Sequence, residues 1–353
     1  MDTAYSSLKI FHHPDIVAKL KRGEHQPPIH VQIVPTNRCN QNCKGCAYRM
    51  DGYDSSEDFH ARDEIPWSKL HEIVNDCKMM GVKAIEVTGG GEPTIHPQFL
   101  DFCSHILDSG IDLGVVTNGV KWSDEHTKLL RRAHWVRFSL DAGTPETYAS
   151  WRGSRPEVYT MVREHIQSLS KLKQRHSKLL IGVGFVVSSE NWQEVVRAAQ
   201  AARDDGAHNF RISALFQPED YEYFREWHSR ARDLCQQAEK MAQPGFHVFN
   251  LFNRRIQDTI QRNPEYSFCS YSHVTTYLGA DQNAYTCCCN AYNKRGLLGS
   301  FRESSFRQLW DDNSVRIKLA SIDARKCPRC MYRDKNITIN YATHNDPQHV
   351  NFI

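Results

Sequence analysis

From residue 29 to residue 214 short apolar blocks alternate with longer amphipathic stretches. Ile29–Val34, Ala84–Thr88, Asp112–Thr117, Trp135–Leu140, Leu179–Val187 and Asn209–Ala214 read as strands. Between the first two, Ser68–Met80 carries Leu70, Ile73, Val74 and Cys77 at helical spacing, with Gly81 as its stop. Pro97–Asp108, Ser123–Ala133, Pro156–Lys173 and Trp192–Asp204 read as further helices, with Ser123 as an N-cap. Six strand–helix alternations predict parallel strands joined by helical crossovers, in a wound open sheet or a barrel. The Val/Ile/Leu/Phe runs predict strands covered on both faces.

In either architecture an active site forms at the carboxyl ends of the strands. Thr36–Cys46, Thr88–Thr94, Thr117–Gly119, Ser139–Thr144 and Ser188–Asn191 all lie there, and they are polar or glycine-rich. After residue 215 the pattern changes. Glu219–Met241 reads as a charged covering helix and Phe246–Asn250 as a short strand. Val274–Leu278 and Ala284–Thr286, separated by Gly279–Asn283, read as a hairpin.

Composition narrows the class. The chain has 353 residues, 40% apolar and 24% charged, with a net charge of +3, which is ordinary globular composition. The charge is too weak to argue for nucleic acid or an anionic membrane. The longest apolar run, Leu179–Val187, falls well short of the roughly 20 residues of a membrane span. No secretory signal is read at the N-terminus, so a cytoplasmic, reducing location is expected.

Twelve cysteines then carry the chemistry. Cys39, Cys43 and Cys46 form C-x3-C-x2-C in the loop after the first strand, and six more lie between Cys269 and Cys330. Clustered thiols in a reducing compartment more often hold metal than form disulfides. Three thiolates without a fourth partner suit an iron–sulfur cube with one iron left open, and a zinc loop completed from elsewhere is the plain alternative.

C-x3-C-x2-C after the first strand of a six-fold βα pattern resembles the radical S-adenosylmethionine (SAM) superfamily. The resemblance implies an α/β fold with a partial (β/α)6 TIM-like barrel. It also implies a [4Fe–4S] cluster on Cys39, Cys43 and Cys46 that chelates SAM and cleaves it reductively to a 5′-deoxyadenosyl radical. Gly90-Gly91-Glu92-Pro93 resembles the segment that receives the SAM amino group. Asn118, Ser139 and Asp141 resemble polar positions near the ligand and its ribose, and Arg152 the arginine on the SAM carboxylate, a plain surface arginine being the alternative. Val187 and Leu215 are candidates to flank adenine, although core packing explains each of them as well. One departure is Gly45, where the superfamily commonly places an aromatic residue before the third cysteine; Tyr48 is a candidate substitute.

The later cysteines resemble the SPASM or twitch extension of radical SAM enzymes. Gly296–Phe301 and Ser305–Trp310 between them match its turn and helix. The resemblance implies an auxiliary [4Fe–4S] cluster on Cys269, Cys287, Cys327 and Cys330, for which a zinc ribbon is the alternative. Cys288 and Cys289 are then spare, on the argument that adjacent strand side chains face opposite ways. They are candidate hydrogen donors or simply structural thiols. Cys77 and Cys103 read as core residues, and Cys235 has no assigned role.

The expected organisation is an N-terminal extension (1–28), a radical SAM core (29–215), a connecting helical region (216–261), a twitch/SPASM-like domain (262–340) and a tail (341–353). The size and spacing resemble 2-deoxy-scyllo-inosamine dehydrogenase-type twitch enzymes. The expected function is therefore hydrogen abstraction from a small polar metabolite, of sugar, aminocyclitol or nucleoside type, for oxidation or epimerisation. A reducing partner such as flavodoxin or ferredoxin would supply electrons. A maturase of a ribosomal peptide is the rival, weakened by the short extension before the first strand. A non-catalytic metal-stabilised binding or electron-transfer protein is the third reading.

Overall fold

The computed structural model describes residues 4–50, 57–172, 178–216, 220–260, 263–344 and 348. The strands are β1 (His30–Ile33), β2 (Ala84–Val87), β3 (Asp112–Thr117), β4 (Trp135–Ser139), β5 (Leu180–Val187), β6 (Asn209–Ala214), β7 (His247–Asn250), β8 (Thr275–Leu278), β9 (Asn283–Tyr285) and β10 (Leu297–Ser300). They form one sheet in the order β10-β9-β8-β1-β2-β3-β4-β5-β6-β7. Every neighbouring pair from β8 to β7 is parallel, and β8–β9 and β9–β10 are antiparallel. The sheet is not closed, as in an open TIM-like barrel.

The helices are α1 (Pro14–Lys21), α2 (Trp67–Met80), α3 (Phe99–Asp108), α4 (Asp124–Leu130), α5 (Pro145–Arg152), α6 (Glu157–Lys171), α7 (Val195–Asp204), α8 (His228–Glu239), α9 (Phe252–Ile260), α10 (Phe306–Asp311), α11 (Asn313–Ser321) and α12 (Arg333–Thr343). From α2 to α7 they cross over between the parallel strands. Gly81, at φ +76°, ends α2 in the left-handed region that glycine enters without strain. The sequence misses α5, although Thr144 caps it through the Thr147 N–H and Pro145 sits at its first position. Ser123 stands at the N-cap of α4, but its hydroxyl bonds His126 instead of a backbone N–H. The charged stretch after residue 219 splits into a 3-10 turn (Asp220–Phe224) and α8. The expected ends at Lys173 and Glu219 lie outside the described residues.

Expectation and structure part over the strand faces. Val31, Ile33, Ile85, Val87, Val136, Phe138, Phe210 and Ile212 are buried in the core formed with the helices. The alternate positions of β4 and β6 are only half-buried, and they include Arg137 and Arg211. The sheet is therefore apolar on its outer face and polar on its inner one, because helices cover only one side. Each buried Val, Ile or Phe contributes on the order of 1.5–3 kcal/mol, so this outer layer fixes the register that orients the inner face.

The C-terminal segment joins this framework directly. β8 pairs with β1 along its whole length (His30↔Thr275 to Ile33↔Leu278). The hairpin β8–β9 forms about where the alternation placed it. In α10, Ser305 and Gln308 make a reciprocal capping box, Phe306 and Trp310 are buried, and Trp310 Nε1 donates to the Gln26 carbonyl at 2.9 Å. Among the described residues no helix is long and apolar enough to cross a membrane.

Candidate active site

Cys39, Cys43 and Cys46 line one cavity of about 220 Å³ at the carboxyl ends of the parallel strands. Burial pushes the Cys39 thiol up to about 11, with Glu92 and Cys43 adding to the shift. Burial also raises Cys46, again with Cys43 nearby. Thiols held protonated by burial, as Cys39 and Cys46 are, need a cationic centre before they become thiolates. Among the described residues no three His, Cys, Asp or Glu side chains converge on the geometry of a single metal ion.

The glycine-rich loop after β2 is stitched to the cysteine loop. Gly91 N–H donates to the Thr36 carbonyl at 3.2 Å and Glu92 N–H to the Arg38 carbonyl at 2.8 Å. A Cβ on Gly91 would stand 1.9 Å from the Arg38 carbonyl oxygen, and one on Gly90 would stand 2.4 Å from Asn37 Oδ1. Both glycines are thus dictated by this close approach. Glu92 is buried and accepts from Thr94 N–H (3.1 Å), Thr94 Oγ1 (2.7 Å), Thr117 Oγ1 (2.6 Å) and Asn118 N–H (2.6 Å). Burial raises its pKa and these donors oppose the rise. Its carboxylate pins the loop after β2 to the loop after β3. Asn118 extends the link by donating from Nδ2 to Asn40 Oδ1 at 2.7 Å.

Arg152, at the end of α5, is 6% exposed and is no surface residue. Its Nη2 lies 2.6 Å from Asp141 Oδ2, and its Nη1 donates to Cys43 Sγ at 3.4 Å. Burial opposes the guanidinium charge, and Asp141 and Cys43 outweigh that, so its pKa stands raised. Asp141 adopts φ +56° just past β4 and accepts Val186 N–H at 2.8 Å through Oδ1. Ser139 and Asp141 both line the cavity, with Gly90, Gly91, Glu92, Asn118 and Arg152.

The two expected adenine neighbours do not both reach the site. Val187 is fully buried in the outer core, and strand alternation brings Val186 to the cavity instead. Leu215 packs on the cysteine loop, its Cδ1 2.9 Å from where a Cβ on Gly45 would stand. Trp151 explains Gly45. Its Cζ2 would lie 2.5 Å from such a Cβ, so the indole of α5 fills the space a side chain at 45 would need. Trp151 lines the cavity and is 4% exposed. Sequence reasoning missed it together with α5, whose Thr-Pro-Glu start was the available signal. Tyr48 also lines the cavity, stacks on Phe59, and meets the Tyr277 hydroxyl at 2.9 Å.

A second group of thiols forms around β8 and β9. Burial pushes Cys269 up to about 12, with Cys287 and Cys327 adding to it. Burial also pushes Cys330 up to about 12, with Cys269 and Cys287 contributing, and raises Cys327, with Cys287 contributing. Cys287 therefore lies near each of the other three. Tyr266 Oη donates to Cys330 Sγ at 3.1 Å, and Asn290 Nδ2 lies 3.7 Å from Cys327 Sγ. Cys288 and Cys289 are not on a strand as the alternation argument assumed, since Cys288–Asn290 is a 3-10 turn. On that turn Cys288 Sγ makes a 2.9 Å contact with Tyr332 Oη. Cys289 stands between its neighbours, hydrogen-bonded to the side chains of both Cys287 and Cys288. Cys77, Cys103 and Cys235 are buried in the core.

Residues 33–202 match the radical SAM superfamily model. Those residues therefore carry a radical SAM domain, and the characteristic cofactors of that superfamily are a [4Fe–4S] cluster and SAM. The chain is 22% identical to the AdoMet-dependent heme synthase of Methanosarcina barkeri over 84% of this chain and 87% of that protein. It is 29% identical to the tungsten-containing aldehyde ferredoxin oxidoreductase cofactor-modifying protein of Pyrococcus furiosus, over 51% of this chain and 49% of that one. Among solved structures, Streptococcus suis SuiB bound to S-adenosylmethionine shares the fold with a TM-score of 0.63, 15% identity, and coverage of 91% of this chain and 74% of that one. Native anSMEcpe with bound AdoMet does so with a TM-score of 0.59, 15% identity and 88% coverage of both chains.

Proposed function

We propose that this radical SAM enzyme abstracts hydrogen from a C–H bond of a small polar metabolite, for oxidation or epimerisation, and carries an auxiliary cluster as electron relay. A [4Fe–4S] cluster on Cys39, Cys43 and Cys46 would supply the electron that cleaves SAM to methionine and a 5′-deoxyadenosyl radical. Around it, Gly90 and Gly91 admit the backbone closely to the SAM amino group. Arg152 presents a guanidinium to its carboxylate, and Ser139, Asp141 and Asn118 serve its ribose and polar edge. Trp151 and Tyr48 wall the pocket and exclude water.

The observation that supports this reading is the separation of the thiols into two groups, with Cys39, Cys43 and Cys46 around one cavity and Cys287 near Cys269, Cys327 and Cys330. The four, Cys269, Cys287, Cys327 and Cys330, saturate their own cluster, which suits electron transfer and not substrate binding. The Cys288 thiol, beside Tyr332, is our candidate to return a hydrogen atom to a substrate radical, which is the step that separates epimerisation from oxidation.

Anaerobically reconstituted protein is expected to hold about eight irons and to release 5′-deoxyadenosine from SAM under reduction. The Cys39→Ala, Cys43→Ala, Cys46→Ala triple variant keeps about four irons and releases none. Persistent SAM cleavage in that variant sinks the radical assignment, and zinc in place of its remaining iron sinks the auxiliary cluster. Turnover in deuterated water places one solvent deuterium on the product carbon if a thiol returns the hydrogen, and none if the carbon is oxidised.

A further inference from the structure

The inner face of the sheet carries charge that SAM binding does not use. Thr88, Ser139 and Val186 line the SAM cavity. Two residues earlier on the same strands, and so on the same face, stand Glu86, Arg137 and Gly184, with Arg211 of β6 paired to Gly184. This layer lies roughly 7 Å deeper along the strands.

Cations exceed anions there. Glu86 is the acid, with Arg137 Nη2 at 4.0 Å and His30 Nε2 at 3.7 Å. The Arg211 guanidinium stands 5.2 Å from the Tyr5 ring centre, and among the described residues it makes no ion pair. Its Nε is sealed from solvent and has no hydrogen-bond acceptor. Lys335 of α12 places Nζ 5.2 Å from the ring centre of Tyr271 and 5.5 Å from that of Tyr332, also with no ion pair among the described residues. Burial pulls the Arg211 pKa down to about 10, with Arg137 and Arg255 adding to it. Burial pulls Lys335 down to about 8; Glu86 opposes this, and Lys9, Arg255 and Arg211 reinforce it. A Cβ on Gly184 would meet Arg137 Cδ at 3.7 Å, an ordinary contact distance, so the glycine lies directly beside that side chain.

Excess buried positive charge costs stability unless an anion compensates it. The fold does not demand it, because an apolar side chain in the middle of β6 would pack without that cost. Arginine is also the side chain whose planar fork pairs two oxygens of one oxyanion. We propose that Arg211, Arg137 and Lys335 bind an oxyanion of the substrate, a carboxylate or a phosphate, in the layer beneath SAM. This rests on the reading that substrate occupies the inner face, below the SAM cavity. The anion would anchor the substrate beside Tyr332, whose hydroxyl touches Cys288.

Succinate and inorganic phosphate are the probes, with binding to the full-length protein followed by calorimetry and by thermal unfolding. At least one is expected to bind and to raise Tm, and which one does so assigns carboxylate or phosphate. Arg211→Met is expected to raise Tm without ligand and to weaken binding tenfold or more. Lys335→Met is expected to weaken it in the same direction, and the surface variant Arg132→Gln to leave it unchanged. If neither anion shifts the wild-type Tm, or if both methionine variants bind as tightly as wild type, the proposal is overturned. If Arg211→Met does not fold, Lys335→Met decides. SAM cleavage by the wild type tests the radical reading separately, so either result can fail without the other.

Discussion

Arg152 and Asp141 form a buried ion pair, with Nη2 and Oδ2 2.6 Å apart, that ties the end of α5 to the loop after β4 and leaves Nη1 to face Cys43. Neither group has water to fall back on. Removing one partner leaves a buried charge, at a cost of about 3–5 kcal/mol. Arg152→Ala is therefore expected to lower unfolding free energy by that order in urea titrations. The paired Arg152→Met, Asp141→Asn variant, which keeps an oxygen for the Val186 N–H at this left-handed position, recovers much of it while still failing to bind SAM. A paired loss equal to the sum of the two single losses would show that the two side chains are not coupled.

Gly45 and Trp151 exclude one another. Gly45→Phe alone forces the indole out of place and is expected to cost about 1–3 kcal/mol by overpacking and to lower iron loading. Adding Trp151→Ala makes room and restores both. Iron content and thermal unfolding of the variants check this; no recovery in the double variant would mean that Leu215, whose Cδ1 would stand 2.9 Å from the added Cβ, excludes a side chain at 45 by itself.

The three consecutive cysteines have different surroundings and so different expected phenotypes. Cys287→Ser removes a member of the four-sulfur group, and iron is expected to fall from about eight per chain to about four. Cys288→Ser leaves iron unchanged and, if the thiol returns hydrogen, abolishes solvent deuterium in the product while 5′-deoxyadenosine still forms. Iron loss in Cys288→Ser would reverse the assignment.

His273 gives the acid limb of stability a specific contributor. It stacks on Phe268, with ring centres 4.9 Å apart, and burial pulls its pKa down to about 4 from the ordinary 6.5, with His25 adding to the shift. The unfolded chain thus takes up the proton first. Stability falls as pH drops from about 6.5 to about 4 and changes no further from this group below that. His273→Phe keeps the stacking and removes the proton, so denaturation curves between pH 7 and pH 4.5 should be less steep in pH than those of wild type.

Much of the site was legible because it is local. C-x3-C-x2-C, Gly90-Gly91-Glu92 and Ser139-x-Asp141 each sit at a strand end, and strand ends follow from apolar blocks bounded by polar or glycine residues. Trp151 was not legible, since an indole six residues into a short helix looks like any core aromatic until the fold lays it over Gly45. The inner-face charges were in plain view. Glu86, Arg137 and Arg211 each interrupt an apolar strand at alternate spacing. Reading the strands as covered on both sides hid that pattern.

The sequence by itself determined the parallel βα order, the place of the three-cysteine loop at the carboxyl rim and the hairpin that precedes the late cysteines, because periodicity and turn chemistry act over a few residues. Only the tertiary structure decided that Cys288 meets Tyr332, that Arg152 meets Asp141, and that β8 extends the sheet beside β1. Those outcomes depend on contacts between segments tens to hundreds of residues apart. Such contacts are set by how the outer apolar faces pack, and no local pattern records them.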